Sequence, residues 1–378
     1  MAPLTKRATP VLWLFGPPGV GKSTVGWEIY RRLAARGIAC AYVDIDQLGI
    51  CYPEPYSDPG RYRLKERNLG AVVTNFAATG ARGVVVSGVV DPVNGVDVAG
   101  LAGLDVTLYR LRADRGALRQ RVLSRRGSSA RVDDVIAEAV TLDGWRRADA
   151  VLDTTSLTVE QTVERVLQAS RWAPAGEPRQ PVTRPRDRPL SSAGGRVVWL
   201  CGPNCVGKST IGFVLYRRLL QAGLAAGYVD IDQIGFCAVA PDDHWLRACN
   251  LAAVWQNYRS AGAEALVVAG PVHDADVASV YETVLPRVSF AWFRLHAGPS
   301  ELAGRVRTRQ QGGSWPQPGD PLRGASPDQL QQAVADAAAQ ADELERVGAG
   351  ARVNTDGLDV EESASVILRQ VETAAGDV

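Results

Sequence analysis

Lysine is scarce in this sequence. Of 42 basic residues only Lys6, Lys22, Lys65 and Lys208 are lysines, and every other one is an arginine. Nor is there an excess of either charge: the formal net charge is +1, which argues against a nucleic-acid coat or a polybasic membrane patch. Long hydrophobic runs are missing too. The apolar stretches are of strand length, and Met1 to Pro10 has no signal-peptide hydrophobic region, so a soluble cytoplasmic protein with no membrane partner is expected. Cysteines are few and scattered (40, 51, 201, 205, 237 and 249) with no C-x-x-C spacing, which fits neither a zinc site nor a disulfide scaffold. They read as buried apolar fillers.

Two of the four lysines sit in glycine-rich loops. Gly16-Pro17-Pro18-Gly19-Val20-Gly21-Lys22-Ser23-Thr24 fits the phosphate-loop pattern G-x-x-x-x-G-K-[ST], and Gly202-Pro203-Asn204-Cys205-Val206-Gly207-Lys208-Ser209-Thr210 fits it again. Each loop follows a continuous apolar run, Val11 to Phe15 or Val197 to Cys201, as expected of a strand buried on both faces of a parallel sheet. Helical stretches follow, Val25 to Ala35 and Ile211 to Ala222. In that context the glycines let backbone N–H groups curl round phosphate oxygens, and the helix N-terminus adds its positive end. The lysine supplies a point charge to the β and γ phosphates, and the serine can ligate magnesium.

The repeat extends beyond the loops. Tyr42-Val43-Asp44-Ile45-Asp46-Gln47-Leu48-Gly49 returns as Tyr228-Val229-Asp230-Ile231-Asp232-Gln233-Ile234-Gly235, at the same offset along the chain as the two loops. Asn68-Leu69 and Asn75 return as Asn250-Leu251 and Asn257 at a smaller offset, so the connector of the second copy is four residues shorter. Three more strand-like runs match: 83–88 with 265–270, 106–111 with 290–295, and 150–155 with 351–356. Each half therefore reads as five strands alternating with helices, a doubly wound parallel α/β sheet. The expected domains are 1–172 and 195–378, joined by a Pro-rich linker over 173–194, and each is expected to fold as a separate fragment. A Pro/Gly-rich stretch over 312–327 has the position of a lid, although its composition fits a surface loop equally well.

The Asp pairs fall at the carboxyl end of the second strand, where open α/β sheets place their ligands. Residues two apart in a strand point to one side, so Asp44 with Asp46, and Asp230 with Asp232, can face one cleft. One carboxylate of a pair can hold magnesium while the other takes a proton from a hydroxyl; an Asp after a strand can also be a plain loop or cap residue. Beyond the fourth strand, Arg121 with Arg125 and Arg305 with Arg309 are i, i+4 pairs on one helix face. Such guanidiniums can clamp a transferring phosphoryl group, and a solvated basic face is the alternative.

Loop, D-x-D, Arg-bearing helix and a final V-x-D-T segment in that order resemble the small P-loop kinases: adenylylsulfate, shikimate and gluconate kinases and chloramphenicol phosphotransferase. The resemblance covers essentially all of each half. It implies two tandem P-loop kinase-like domains, each a five-stranded parallel sheet of order 2-3-1-4-5 with helices on both faces, using ATP and Mg2+ on a small hydroxyl-bearing substrate. By that match Gly16, Gly19, Val20, Gly21, Lys22, Ser23 and Thr24, and Gly202, Cys205, Val206, Gly207, Lys208, Ser209 and Thr210, bind the nucleotide. Ser23 with Asp44, and Ser209 with Asp230, hold the metal. Asp46 and Asp232 meet the acceptor hydroxyl, and Arg121, Arg125, Arg305 and Arg309 are lid arginines. The departures are Cys205 in place of the loop's fourth-position glycine, Cys249 opposite Arg67, and the lack of a full adenylylsulfate kinase substrate signature. Cys205 fills space that Gly19 leaves free, so the second half is expected to bind ATP more weakly. Two other functions compete: a nucleotide-binding regulator or slow ATPase whose halves associate as an internal pseudo-dimer, and a toxin-type nucleotide-sugar or polynucleotide kinase. Near-zero charge weighs against nucleic acid, and D-x-D in both halves weighs against a pure regulator.

Overall fold

The computed structural model describes residues 8–97, 100–126, 132–170, 172, 191–312, 320–347 and 349–376. Most of the expected linker, and the centre of the 312–327 stretch, lie outside the described residues. In chain order the elements are β1 (Thr9–Phe15), α1 (Lys22–Ala35), β2 (Cys40–Asp44), β3 (Cys51–Tyr52), α2 (Tyr62–Thr79), β4 (Gly83–Ser87), β5 (Leu104–Arg112), α3 (Arg115–Arg126), α4 (Val132–Asp143), β6 (Ala150–Asp153) and α5 (Val159–Ala169). They continue as β7 (Gly195–Cys201), α6 (Lys208–Gln221), β8 (Ala226–Asp230), α7 (His244–Ser260), β9 (Ala265–Ala269), α8 (Ala275–Val284), β10 (Val288–His296), α9 (Pro299–Gln310), α10 (Pro327–Val347), β11 (Ala351–Asn354) and α11 (Val360–Gly376).

The chain forms two compact units: 1–49 with 57–184 and 235–242, and 50–56 with 185–234 and 243–378. In the first unit the sheet runs β2-β4-β1-β5-β6, all parallel; in the second it runs β11-β10-β7-β9-β8-β3. Counting only the five parallel strands of each unit gives the order 2-3-1-4-5 both times. Strand β1 lies at the centre with Val11 to Phe15 fully buried, so the continuous apolar run follows from helices covering both faces. Leu12, Leu14, Val25, Ile29, Tyr42 and Val85 join one core in the first unit, and Leu200, Ile211, Leu215, Tyr228 and Val267 the matching core in the second.

Two short segments depart from the expected boundaries. Residues 235–242 belong to the first unit, where Tyr42 N donates to Phe236 O at 3.0 Å and Ala238 N to Cys40 O at 2.9 Å. The Phe236 ring stands 4.7 Å from Trp27 and 6.1 Å from Tyr42. Residues 50–56 belong to the second unit, where β3 pairs antiparallel with β8 and makes the sixth strand. Both segments cover the second strand of a sheet, an edge that would otherwise leave a row of backbone groups unpaired. Among the described residues no helix is long and apolar enough to cross a membrane.

Candidate functional site

The two phosphate loops have nearly the same backbone. Gly16 and Gly202 carry φ of 147° and 142°, and a Cβ there would meet Leu111 O at 2.2 Å or Leu295 O at 2.6 Å, so only glycine lets the loop cross so close to the neighbouring strand. Val20 and Val206 anchor each loop in its core. Helices α1 and α6 start at the lysines with no side chain capping them and no acid in the first turn, which leaves their first amides for an anion. Lys22 Nζ donates to Gly16 O and Pro17 O at 2.8 and 3.1 Å, and Lys208 Nζ to Gly202 O and Pro203 O at 2.9 and 2.9 Å. Each ammonium is thus held over the concave side of its own loop. Burial pulls the Lys208 ammonium below the usual lysine range.

Beside each lysine, Ser23 Oγ donates to Asp44 Oδ2 at 2.8 Å and Ser209 Oγ to Asp230 Oδ2 at 2.7 Å. Hydroxyl and carboxylate side by side form the oxygen donor pair that a hard divalent cation takes. Among the described residues no three His, Cys, Asp or Glu side chains gather as a metal cage. A cation at this pair would therefore complete its shell with phosphate oxygens and water, as magnesium does in nucleotide sites. Burial, and next the charge of Asp46, push Asp44 up to about 6; burial and Asp232 do the same to Asp230.

The second acid of each pair is not on the strand. Asp46 and Asp232 sit in 3-10 turns, Ile45–Gly49 and Ile231–Ile234, so the strand alternation expected to align each pair does not apply. Instead the turn brings the Asp46 amide to Asp44 Oδ1 at 3.0 Å and the Asp232 amide to Asp230 Oδ1 at 3.2 Å. Each side chain then meets a cation: Lys65 Nζ lies 3.0 Å from Asp46, and Arg247 Nη2 lies 3.2 Å from Asp232. Lys65 and Arg247 are only 9% and 8% exposed while their acids are about half open, so the carboxylates are steered from below and remain reachable. Neither cation was anticipated from the sequence. The signal was there, because Lys65 and Arg247 are related by the same shift as Asn68 and Asn250, and Lys65 is one of the four lysines.

The lid arginines divide into two kinds. Arg121 donates to Thr154 O at 2.8 Å, and Arg305 to Thr355 O and Val206 O at 2.9 and 2.7 Å, so both tie the arginine helix to the closing segment. Arg309 reaches the loop mouth, where it donates to Asp320 at 2.8 Å and to Cys205 Sγ at 3.8 Å. The side chain of Arg125 lies outside the described residues. Arg305, Arg309, Asp232 and the loop from Asn204 to Thr210 line a cavity of about 420 Å3. Across it Asn204 N donates to Gln340 Oε1 at 2.8 Å, a bond closed to the first loop because Pro18 has no N–H. Asp143 and Glu345 both bind the buried arginine of the fourth strand, Arg110 at 2.6 Å and Arg294 at 2.9 Å. The same register sets Glu138 opposite Gln340, and burial raises the Glu138 carboxyl above its ordinary range.

No protein-family model matches the chain. Among curated proteins, a shikimate kinase of Geobacter sulfurreducens is 31% identical over 163 residues, 40% of this chain and 86% of that protein. A shikimate kinase of Halorhodospira halophila is 29% identical over 179 residues, 45% of this chain and 98% of that protein. Of solved structures, a tunicamycin resistance protein from Deinococcus radiodurans superposes with a TM-score of 0.33 and 20% identity over 47% of this chain and 95% of its own. Each relative matches almost throughout its own length on less than half of this chain.

Proposed function

From the premise that the chain belongs to the shikimate kinase family of P-loop kinases, we propose that it transfers the γ-phosphoryl group of ATP to a hydroxyl of a small molecule, with one site in each unit. The observation that carries this reading is the recurrence of one constellation: lysine over the loop carbonyls, serine on the first aspartate, and a second aspartate steered by a buried cation. Lys22 and Lys208 would exchange their loop carbonyls for β and γ phosphate oxygens. Ser23 with Asp44, and Ser209 with Asp230, would hold Mg2+, which when bound neutralises charge on the transferring group. Asp46 or Asp232 accepts the proton of the acceptor hydroxyl as its oxygen bonds to phosphorus and the bond to the β-phosphate oxygen breaks. Arg309 at the loop mouth stabilises the charge that develops.

The test is a screen of hydroxyl compounds for ATP consumption, with mass detection of a product heavier by one phosphate. Transfer that survives Lys22→Ala and Lys208→Ala together would remove both loops from the chemistry. Tight ATP binding with no acceptor phosphorylated would favour the regulator instead.

A further inference from the structure

Granting the phosphotransferase reading, the surroundings of Asp46 and Asp232 differ in a consistent direction. In the register that pairs Lys65 with Arg247, Tyr62 pairs with His244 and Asp91 with His273. The chain has three histidines, and two of them meet here: the rings of His244 and His273 are 6.2 Å apart, edge to face. His244 Nδ1 lies 2.9 Å from the Tyr281 hydroxyl, which fixes the ring at the start of α7, next to Arg247 one turn on. His273 is exposed on the loop after β9.

In the first unit these positions offer an anion little. Asp91 brings a carboxylate, and that carboxylate folds its own loop by accepting from Val93 N at 2.8 Å and Asn94 N at 2.9 Å. The Tyr62 ring lies 5.5 Å from the Lys65 ammonium. In the second unit each of the three changes favours an anion. An imidazole keeps at least one N–H donor in either protonation state, and a guanidinium offers the planar fork that matches a carboxylate or phosphate. The nearby acids are turned away: Asp243 accepts from Trp245 N at 2.9 Å and Asp274 from Val277 N at 2.8 Å, each capping a helix.

We propose that the two acceptor subsites differ in specificity: His244, His273 and Arg247 select for the second unit an alcohol that also carries an anionic carboxylate or phosphate group, while the first unit takes a neutral polyol. The product of one unit is thus not bound to be the product of the other, and a single chain phosphorylates two classes of acceptor.

The test uses the full chain and binding as its readout, so it stands apart from turnover. Gluconate, glycerol 3-phosphate and myo-inositol are titrated calorimetrically into the parent and into a variant carrying His244→Tyr and His273→Asp. Expected is one anion-binding subsite per chain that weakens about tenfold or more in the variant, while myo-inositol binding is unchanged. Gluconate alone binding assigns the carboxylate, glycerol 3-phosphate alone the phosphate. Unchanged anion affinity, or equal loss for the neutral polyol, overturns the proposal. If the double variant does not fold, Arg247→Lys takes its place, and an anion affinity untouched by that change is equally fatal. Selective binding without phosphoryl transfer would count against the phosphotransferase reading and leave the selectivity standing.

Discussion

Changing Asp46 to Asn separates the chemistry of that carboxylate from its structural role. The amide keeps the size of the side chain but cannot take a proton near neutral pH, so phosphoryl transfer should fall by roughly a hundredfold or more. The structure adds a stability term. Lys65 is 9% exposed and its ammonium sits 3.0 Å from Asp46, so the substitution leaves a largely buried charge facing a neutral amide oxygen. Because Asp46 itself is 46% exposed, water shares that load. The cost should lie well below that of a fully buried pair, at about 1–2 kcal/mol, or a fall in melting temperature of roughly 2–8 °C. The assay is turnover and ATP affinity in a Lys208→Ala background, where only the first unit reports. ATP affinity should stay within about threefold, since the Asp46 carboxylate is held by Lys65 while Ser23 bonds to Asp44. Adding Lys65→Met should recover part of the melting temperature and none of the turnover. Turnover within about tenfold of the parent would refute the base assignment. Loss of ATP affinity together with turnover would place Asp46 on the metal instead.

Three other outcomes are expected. Asp44 and Asp230 have folded-state values of about 6, above the ordinary 3.8, so the folded protein holds extra protons between these limits. Its nucleotide-free stability should therefore rise as pH falls through that window, while Mg2+-nucleotide affinity, which needs both carboxylates ionised, should fall; melting and titration trends of the same sign would contradict this. Cys205 holds a left-handed φ of 64°, where glycine is unstrained, so Cys205→Gly should tighten nucleotide binding at the second loop by a factor worth about 1 kcal/mol, and unchanged affinity in a Lys22→Ala background rejects the idea. A 1–172 fragment lacks 235–242 and with it the Phe236 ring on Trp27 and Tyr42, a loss of about 1.5–3 kcal/mol of apolar burial. Such a fragment should melt well below the full chain, and equal melting would show that the segment adds nothing.

What could be read from the sequence was local, periodic or repeated. The loop and its flanking strand and helix are contiguous in the chain, and the five-strand pattern follows from apolar runs whose spacing recurs. Ser23 on Asp44 was within reach because both ends belong to motifs. Lys65 and Arg247 belong to none: they reach the site because α2 and α7 pass beneath the 3-10 turns, and only the shift they share with Asn68 and Asn250 marked them. The placement of 50–56 and 235–242 was out of reach for a further reason. A two-residue strand such as Cys51–Tyr52 has no pattern of its own, and its pairing is decided by an open edge that a strand in the other half of the sequence supplies. Arg309 was placed correctly on its helix face, but its partner Asp320 stands in a Pro/Gly stretch without periodicity.

The duplication offers a second sampling of the same architecture and so separates what the chemistry requires from what it tolerates. Lysine, serine and both aspartates recur with bond lengths that agree within about 0.3 Å. The differing positions are Gly19 and Cys205, Glu138 and Gln340, Tyr62 and His244, Lys65 and Arg247, Asp91 and His273. They ring that constellation on its lid and acceptor sides. A second unit released from function would be expected to lose the costly features first: the buried Asp230, pushed up to about 6 by desolvation, and the buried Lys208 ammonium. It has kept both, at the geometry of the first unit. Retention of these unfavourable groups, with change confined to their rim, is what a second working site for a different acceptor would show, and not what a decaying copy would.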